Sequence, residues 1–390
     1  MTTFDLFVLG CGGGPYEDNL SSYFLKASDA SWKDGVIALE AGSALGAVRK
    51  LLAMHPDVFA TEAESVEKLT PAEVYSWIQC YLITHPHLDH LSGLVLSAGS
   101  TPRSSVPVYG TRYTLEVISE IFSGKVWPAL ASWTKQSDKP LLLSPLSPED
   151  GYTALTDTIS VRTMPISHGQ SPTTTTDDID TPSRDPHSHS ANSSSVEPYA
   201  SSAFFLRHAP SAHELLFFGD VEPDSLSTHP QTRDVWRTAA PKIPHALSAV
   251  FIECSWPAGR PDALLYGHLS PTHLADELSV LAREVVASRA RSRANSRGSG
   301  SNGEEADDEE DYGNDRRRKR RRQSDEDAEM DVRGALTGLR VFVIHCKDDL
   351  HETYDRPIHE VIAGQVRELV EERGLGAEIV AVEQGMLISI

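Results

Sequence analysis

Positive charge is what this sequence has least of. Lys and Arg number 35 against 56 Asp and Glu in 390 residues, for a net charge of −21. Such a surface repels a polyanion, which argues against a general nucleic-acid binder. Cysteine is also scarce. Cys11, Cys80, Cys254 and Cys346 are widely spaced and form no CxxC pair, so neither a zinc ribbon nor a disulfide framework is expected. Buried free thiols in a reducing compartment are the expected state. No apolar run approaches transmembrane length, and Met1–Asp5 has no basic segment; the chain is expected to be soluble and intracellular, with no membrane partner. The glycine run Gly10-Cys11-Gly12-Gly13-Gly14-Pro15 lacks GxGxxG spacing, which disfavours a dinucleotide site; it permits close backbone approach instead. No repeat of solenoid period is visible, and the length suits one large domain or two ordinary ones.

What the chain does contain is His85-Pro86-His87-Leu88-Asp89-His90. The apolar run Cys80–Thr84 before it reads as a buried strand, and the run Leu91–Leu96 after it has helical periodicity. Three imidazoles and a carboxylate in one strand-to-helix turn would be costly to bury unpaired. A divalent transition metal removes that cost, since His nitrogen and Asp oxygen are ligands that zinc-like ions prefer. The i, i+2 pair His85 and His87 can reach one ion, while Asp89 and His90 turn toward a second.

Taken in order, strands are expected at Phe4–Leu9, Ser21–Leu25 and Val36–Glu40, and a helix at Ala44–Met54. Thr70-Pro71-Ala72-Glu73 has the form of a capping box with proline at the first helical position. A strand near Val106–Tyr109 and a helix near Thr111–Phe122 follow the histidine motif. Four later apolar runs each end on a polar residue: Ile159–Ile166 before Ser167-His168-Gly169, Glu214–Phe218 before Gly219-Asp220, Leu247–Ile252 before Glu253, and Val341–Ile344 before His345. Several such endings in one chain suggest ligands gathered at one edge of stacked sheets. Two segments read as disordered insertions within a single domain spanning 1–390. Residues 170–198 are rich in Thr, Ser, Asp and Pro, with His187 and His189 expected to be solvated. Residues 287–331 join an acidic block to the basic heptad Arg316–Arg322, readable as a nuclear-import signal, an RNA-contacting patch or a self-neutralising tether.

The hexapeptide resembles the HxHxDH signature of the metallo-β-lactamase-fold hydrolases. Its extension through Leu91-Ser92-Gly93-Leu94 to Ala98 is similar to the signature of class II cyclic-nucleotide phosphodiesterases, which include the fungal low-affinity cAMP enzymes. Leu9–Pro15, Asn19–Tyr23, Ser167–Gly169, Phe218–Asp220 and Gly267-His268-Leu269-Ser270-Pro271 support that likeness. The resemblance implies an α+β fold, an αββα sandwich with two metal ions, most simply Zn²⁺, at one edge. It implies that His85, His87 and His168 hold one ion, and that Asp89, His90 and a late histidine hold the other, with Asp220 bridging. His345 is assigned as that late ligand, and His268 as a general acid or phosphate contact oriented by Glu253, so that Asp89, His268 and Glu253 form the catalytic group. Glu40 departs from the buried aspartate usual after the third strand. The implied activity is hydrolysis of 3',5'-cyclic nucleotides, cAMP or cGMP, to 5'-nucleotides, attenuating cyclic-nucleotide signalling. The expected partners are this small-molecule substrate and a second copy of the chain, in the cytoplasm and, through the heptad, the nucleus. The alternatives are another hydrolase of this fold, acting on RNA or a thioester, and a non-enzymatic regulatory binding protein.

Overall fold

The computed structural model describes residues 2–59, 68–100, 105–170, 198–298 and 330–390. The strands among them are β1 (Phe4–Gly10), β2 (Ser22–Ala27), β3 (Val36–Leu39), β4 (Ile78–Leu82), β5 (Val106–Gly110), β6 (Ala131–Ser132), β7 (Leu141–Pro145) and β8 (Thr153–Ala154). They continue with β9 (Ile159–Gln170), β10 (Pro198–His208), β11 (Glu214–Phe218), β12 (Leu247–Glu253), β13 (Arg340–Ile344), β14 (Glu378–Ala381) and β15 (Leu387–Ser389). The helices are α1 (Leu45–Met54), α2 (Pro71–Ser76), α3 (Leu88–Ser97), α4 (Arg112–Ile121), α5 (Thr232–Ala239), α6 (Pro271–Gly298) and α7 (Ile358–Glu372). One sheet runs β15-β1-β2-β3-β4-β5-β7-β6 and the other β14-β13-β12-β11-β10-β9-β8.

Strand residues alternate between two cores, as a period of two requires. Phe4, Leu6 and Val8 of β1 face an inner core shared with Phe204 and Leu206 of β10, Leu215 and Phe217 of β11, and Phe251 of β12. Phe7 and Leu9 turn outward beneath Val48 and Leu51 of α1 and Leu91 and Leu94 of α3. Phe205, Phe218, Val250 and Val343 face outward on the second sheet, under Trp236 of α5, Leu278 of α6 and Val366 of α7. Two sheets face to face with helices on both outer sides make the expected αββα sandwich. The Thr70–Glu73 capping box is present, Thr70 Oγ1 accepting from Glu73 N–H at 3.2 Å and Glu73 reaching back to Thr70 N–H at 2.7 Å.

Chain direction places the site. β11, β12 and β13 are mutually parallel, so their C-terminal ends share one edge, and Asp220, Glu253 and His345 arrive there together. β4 of the first sheet ends just before Thr84-His85. Ligand sites outside the carboxyl ends of parallel strands follow from this geometry.

The two expected insertions need correction at their ends. Gln170 and Pro198 pair as the last and first residues of β9 and β10, and residues 171–197, with His187 and His189, lie outside the described residues. Residues 287–298, read as the start of the second insertion, continue α6 as helix. Leu274, Leu278, Leu281 and Val285 bury one face of α6, and a packed helix extends cheaply into a following stretch rich in Ala and Arg. Residues 299–329, with the acidic block and the basic heptad, lie outside the described residues. Among the described residues no helix is long and apolar enough to cross a membrane.

Behind the site edge, Glu277 on α6 accepts hydrogen bonds from Trp236 Nε1 at 2.9 Å and Asp224 N–H at 3.0 Å. Burial is the largest cause that pushes its carboxyl from the ordinary 4.5 up to about 7. The folded chain therefore keeps a proton that the unfolded chain has already released. Stability from this carboxyl is highest below about pH 4.5 and falls by about 2–3 kcal/mol as pH rises to 7. Glu277→Gln removes the titration while keeping the shape. Its urea midpoint relative to wild type should therefore improve between pH 5 and pH 7.5; a constant offset across that window would refute the assignment.

Candidate metal centre and active site

His85 follows β4, and His87 occupies the N-cap of α3, with Asp89 and His90 in its first turn. The loop after β3 locks this turn in place: Ala41 N–H donates to His90 O at 2.7 Å and Gly93 N–H to Gly42 O at 3.0 Å. A side chain at position 42 would put its Cβ 2.0 Å from the Asp89 carbonyl oxygen, so only glycine lets α3 approach. His168 near the end of β9, Asp220 after β11 and His345 after β13 come from the opposite sheet.

Asp220 lies at the centre of these groups. Its Oδ2 is 3.7 Å from His85 Nε2, 3.6 Å from His168 Nε2 and 3.3 Å from His345 Nε2, and its Oδ1 is 3.3 Å from His90 Nε2. His345 Nε2 is also 3.1 Å from both Asp89 Oδ2 and His90 Nε2. The donor atoms of His85, His87, His168 and Asp220 all lie within 4.8 Å of one another, as do those of Asp89, His90, Asp220 and His345. All seven residues expected as ligands are therefore brought together in two groups sharing Asp220.

The other ring nitrogens point away from the cluster to fixed partners. His168 Nδ1 donates to the Gly267 carbonyl at 2.8 Å, and His85 Nδ1 lies 3.0 Å from Thr84 Oγ1. His345 Nδ1 is 3.0 Å from Ser255 Oγ, which donates to Glu253 Oε2 at 2.7 Å. Such outer bonds fix imidazole orientation around a metal. At the centre, His85 Nε2 and Asp220 Oδ2 are buried without a hydrogen-bond partner. Convergent orphan donors of this type fit a divalent cation, which would otherwise leave their desolvation uncompensated.

The electrostatics agree. Burial disfavours the charged form of Asp220, but the neighbouring imidazoles, His345 and His90 foremost, outweigh it and hold the carboxyl well below the usual range. Burial holds His85 well below the ordinary histidine range and pushes His168 down to about 3, so both present neutral lone pairs. Glu40 reaches the centre despite its extra methylene. It is fully buried, accepts from Thr84 N–H at 3.3 Å and lies 3.6 Å from His90 Nδ1. Its backbone is left-handed, with φ 56.

A third set, His168, Asp220, Glu253 and His268, also lies within 4.8 Å, but its atoms are already engaged. His268 Nδ1 donates to Glu253 Oε1 at 2.9 Å, and that oxygen also accepts from Val221 N–H at 2.8 Å. Burial, then the charge of Asp220, pushes Glu253 up to about 7, while burial pushes His268 down to about 4. This pair is a hydrogen-bonded dyad rather than a third metal pocket. The residues that sequence reasoning missed are Ser255, two residues after Glu253, and Lys347, two after His345. The same i, i+2 spacing that joins His85 to His87 would have flagged both.

The sequence model for class-II cAMP phosphodiesterases matches residues 7–385. A 3',5'-cyclic-nucleotide phosphodiesterase of Schizosaccharomyces pombe is 32% identical over 295 residues, 72% of this chain and 75% of that protein. Among solved structures, unliganded yeast PDE1 aligns over 100% of both chains with a TM-score of 0.72 at 22% identity. The metallo-beta-lactamase fold protein YhfI from Bacillus subtilis, at 12% identity, aligns over 100% of both chains with a TM-score of 0.50. These two structures bear on the fold.

The glycine run has a specific part in this geometry. A Cβ at Gly13 would meet His345 Cε1 at 2.6 Å and Nδ1 at 2.7 Å, and His345 N–H donates to Cys11 O at 2.7 Å. Gly13→Ala should displace that imidazole and weaken metal binding by about 10–100-fold, the usual effect of disturbing a ligand's support. Competition with a chromogenic chelator measures this; unchanged affinity would mean the ring has room to yield.

Proposed function

The chain belongs to the class II cAMP phosphodiesterases, and on that premise we propose that it hydrolyses 3',5'-cyclic nucleotides at two divalent metal ions, Zn²⁺ in the simplest case, sharing Asp220. The observation carrying this reading is the pair of four-residue donor groups with one buried carboxylate common to both. We assign His85, His87 and His168 to one ion and Asp89, His90 and His345 to the other. When bound, such ions supply a water of lowered pKa and positive charge for the phosphate oxygens.

The remaining chemistry falls to side chains. A water oxygen bonds to phosphorus as the bond to the 3' oxygen breaks; the water gives up a proton and the 3' oxygen gains one as the 5'-nucleotide forms. His268 is suited to give the 3' oxygen that proton. Its Nδ1 is held by Glu253, which fixes the tautomer and leaves Nε2 for the cavity that His268 lines. Burial disfavours the imidazolium of His268, so the ring acts as the acid when the Glu253 carboxylate and the bound phosphate anion stabilise the second proton on Nε2. Ser255 ties the same carboxylate to His345, so Glu253 orients the proton donor and one metal ligand together. Asp89, between His345 and Lys347, would help to hold the second ion. The single catalytic domain reading, with insertions dispensable for chemistry, fits the continuity of both sheets across residues 171–197 and 299–329. A cytoplasmic location is supported by four buried cysteines, all unpaired.

Purified chain should turn over cAMP or cGMP and lose that activity with chelator, and elemental analysis should give two ions per chain. One ion or fewer in protein never exposed to chelator would defeat the two-metal assignment. The roles of the two late histidines separate cleanly. His345→Ala should lose metal and recover part of its activity with added zinc by mass action. His268→Ala should keep both ions but slow turnover by about 10²–10⁴-fold. Metal loss in His268→Ala instead would exchange the two assignments.

A further inference from the structure

The cavity beside His268 has a volume of about 710 Å³, within the span that encloses most of a small organic ligand. Its two ends differ in chemistry. Next to the histidine cluster, Lys347 Nζ donates to Gly13 O at 2.5 Å and lies 3.8 Å from Asp89 Oδ2, with its side chain 20% exposed. Lys347 N–H is pinned to Ser255 O at 2.9 Å. An ammonium carries three donors, and the Gly13 bond takes one, which leaves capacity for an anionic group in the cavity.

The other end is an aromatic wall. The Arg260 guanidinium carbon lies 3.6 Å from the Trp256 ring centroid and 5.8 Å from that of Tyr266. Arg260 Nε donates to Leu264 O at 2.6 Å, which anchors the stack. Tyr266 is 67% exposed yet has φ 54. A bulky residue in the left-handed region is strained, and this one buries too little to repay the strain through packing. It precedes Gly267, whose carbonyl holds His168, and then His268 itself. Strained backbone of this kind gathers where a side chain must meet a ligand.

We propose that the substrate lies in this cavity, with Lys347 against a phosphate oxygen and the Trp256–Arg260–Tyr266 wall stacked on the purine. This assignment rests on the cyclic-nucleotide reading. It makes Tyr266 a specificity residue and Lys347 a contact to any phosphodiester anion, whatever its alcohol. Flat π surfaces and guanidinium planes hold bases of any identity by stacking.

Two substrates separate the two ends: cAMP, and methyl 4-nitrophenyl phosphate, which has the same charge and no purine. Tyr266→Gly removes the ring and the strain together. Its KM for cAMP should rise about 10-fold with kcat within about twofold, its thermal midpoint should not fall, and turnover of the nitrophenyl ester should be unchanged. Tyr266→Phe, which keeps the ring, should behave as wild type. Lys347→Met should lower kcat/KM for both substrates by a similar factor, about 10-fold or more, at unchanged metal content. An unchanged KM for cAMP in Tyr266→Gly, or equal losses on both substrates, would overturn the base wall. Unchanged kcat/KM in Lys347→Met, or a loss that tracks metal content, would overturn the phosphate contact. Wild-type protein that hydrolyses the nitrophenyl ester but neither cAMP nor cGMP would instead defeat the functional reading, and the base wall with it.

Discussion

The structure depends on one buried carboxylate. Asp220 is 2% exposed, and nothing apolar in the sandwich could tolerate its charge there unaided. Imidazoles from both sheets offset that cost, five of them within 3.7 Å of its two oxygens. Each arrives on a different strand end, helix turn or loop, so the pairing of the two sheets and the assembly of the cluster are one event. The inner core of phenylalanines and leucines sets how far apart the sheets stand. That spacing decides whether Asp220 and His345 from one sheet meet His85 and His90 from the other. Packing and chemistry are therefore coupled through rigid strands, and a metal bound here stabilises the same contacts that build its site.

Around that centre the loops supply orientation. Thr84, the Gly267 carbonyl and Ser255 each hold the outer nitrogen of one imidazole, so its inner nitrogen has one direction to face. The Ser255–Glu253–His268 chain extends the same control to a group outside the cluster. One carboxylate then fixes the orientation of both His345 and His268. Any disturbance of Glu253 should reach binding and chemistry together, which neighbouring but independent residues would not do.

The parts legible in the sequence are those whose signal is local. The histidine motif is contiguous, and its flanking strand and helix follow from periodicity, so the metal centre could be read before any fold was known. The four strand-end residues His168, Asp220, Glu253 and His345 were legible for a related reason: a polar group closing an apolar run is visible in one dimension. What stayed hidden depends on meetings between distant segments. Nothing near Gly13 indicates that it must clear the His345 ring. Nothing near Glu40 shows that its backbone would turn left-handed, or that its carboxylate would meet Thr84 and His90. The end of α6 was misread because Ala and Arg in 287–298 look like linker composition unless the packed face of Leu274–Val285 is known to precede them.

Strain marks the functional edge. Six non-glycine residues among those described have positive φ, and Glu40, Tyr266 and His345 are three of them. All three lie within one residue of a strand end or a glycine at the site. For His345 the geometric reason is direct. An extended residue after Ile344 would carry β13 straight past the sheet edge and its imidazole away from Asp220. The left-handed turn, φ 61, instead returns the chain over the glycine loop, where Cys11 and Gly13 pair with it. Glu40 turns back in the same way beneath His90. In both cases the strained residue is buried and its side chain joins the cluster, so compensation comes from the groups it contacts. Tyr266 differs: its backbone is also left-handed, but its ring is largely exposed and meets the Arg260 guanidinium at 5.8 Å. A base bound in the cavity would add a second stacking surface to that ring.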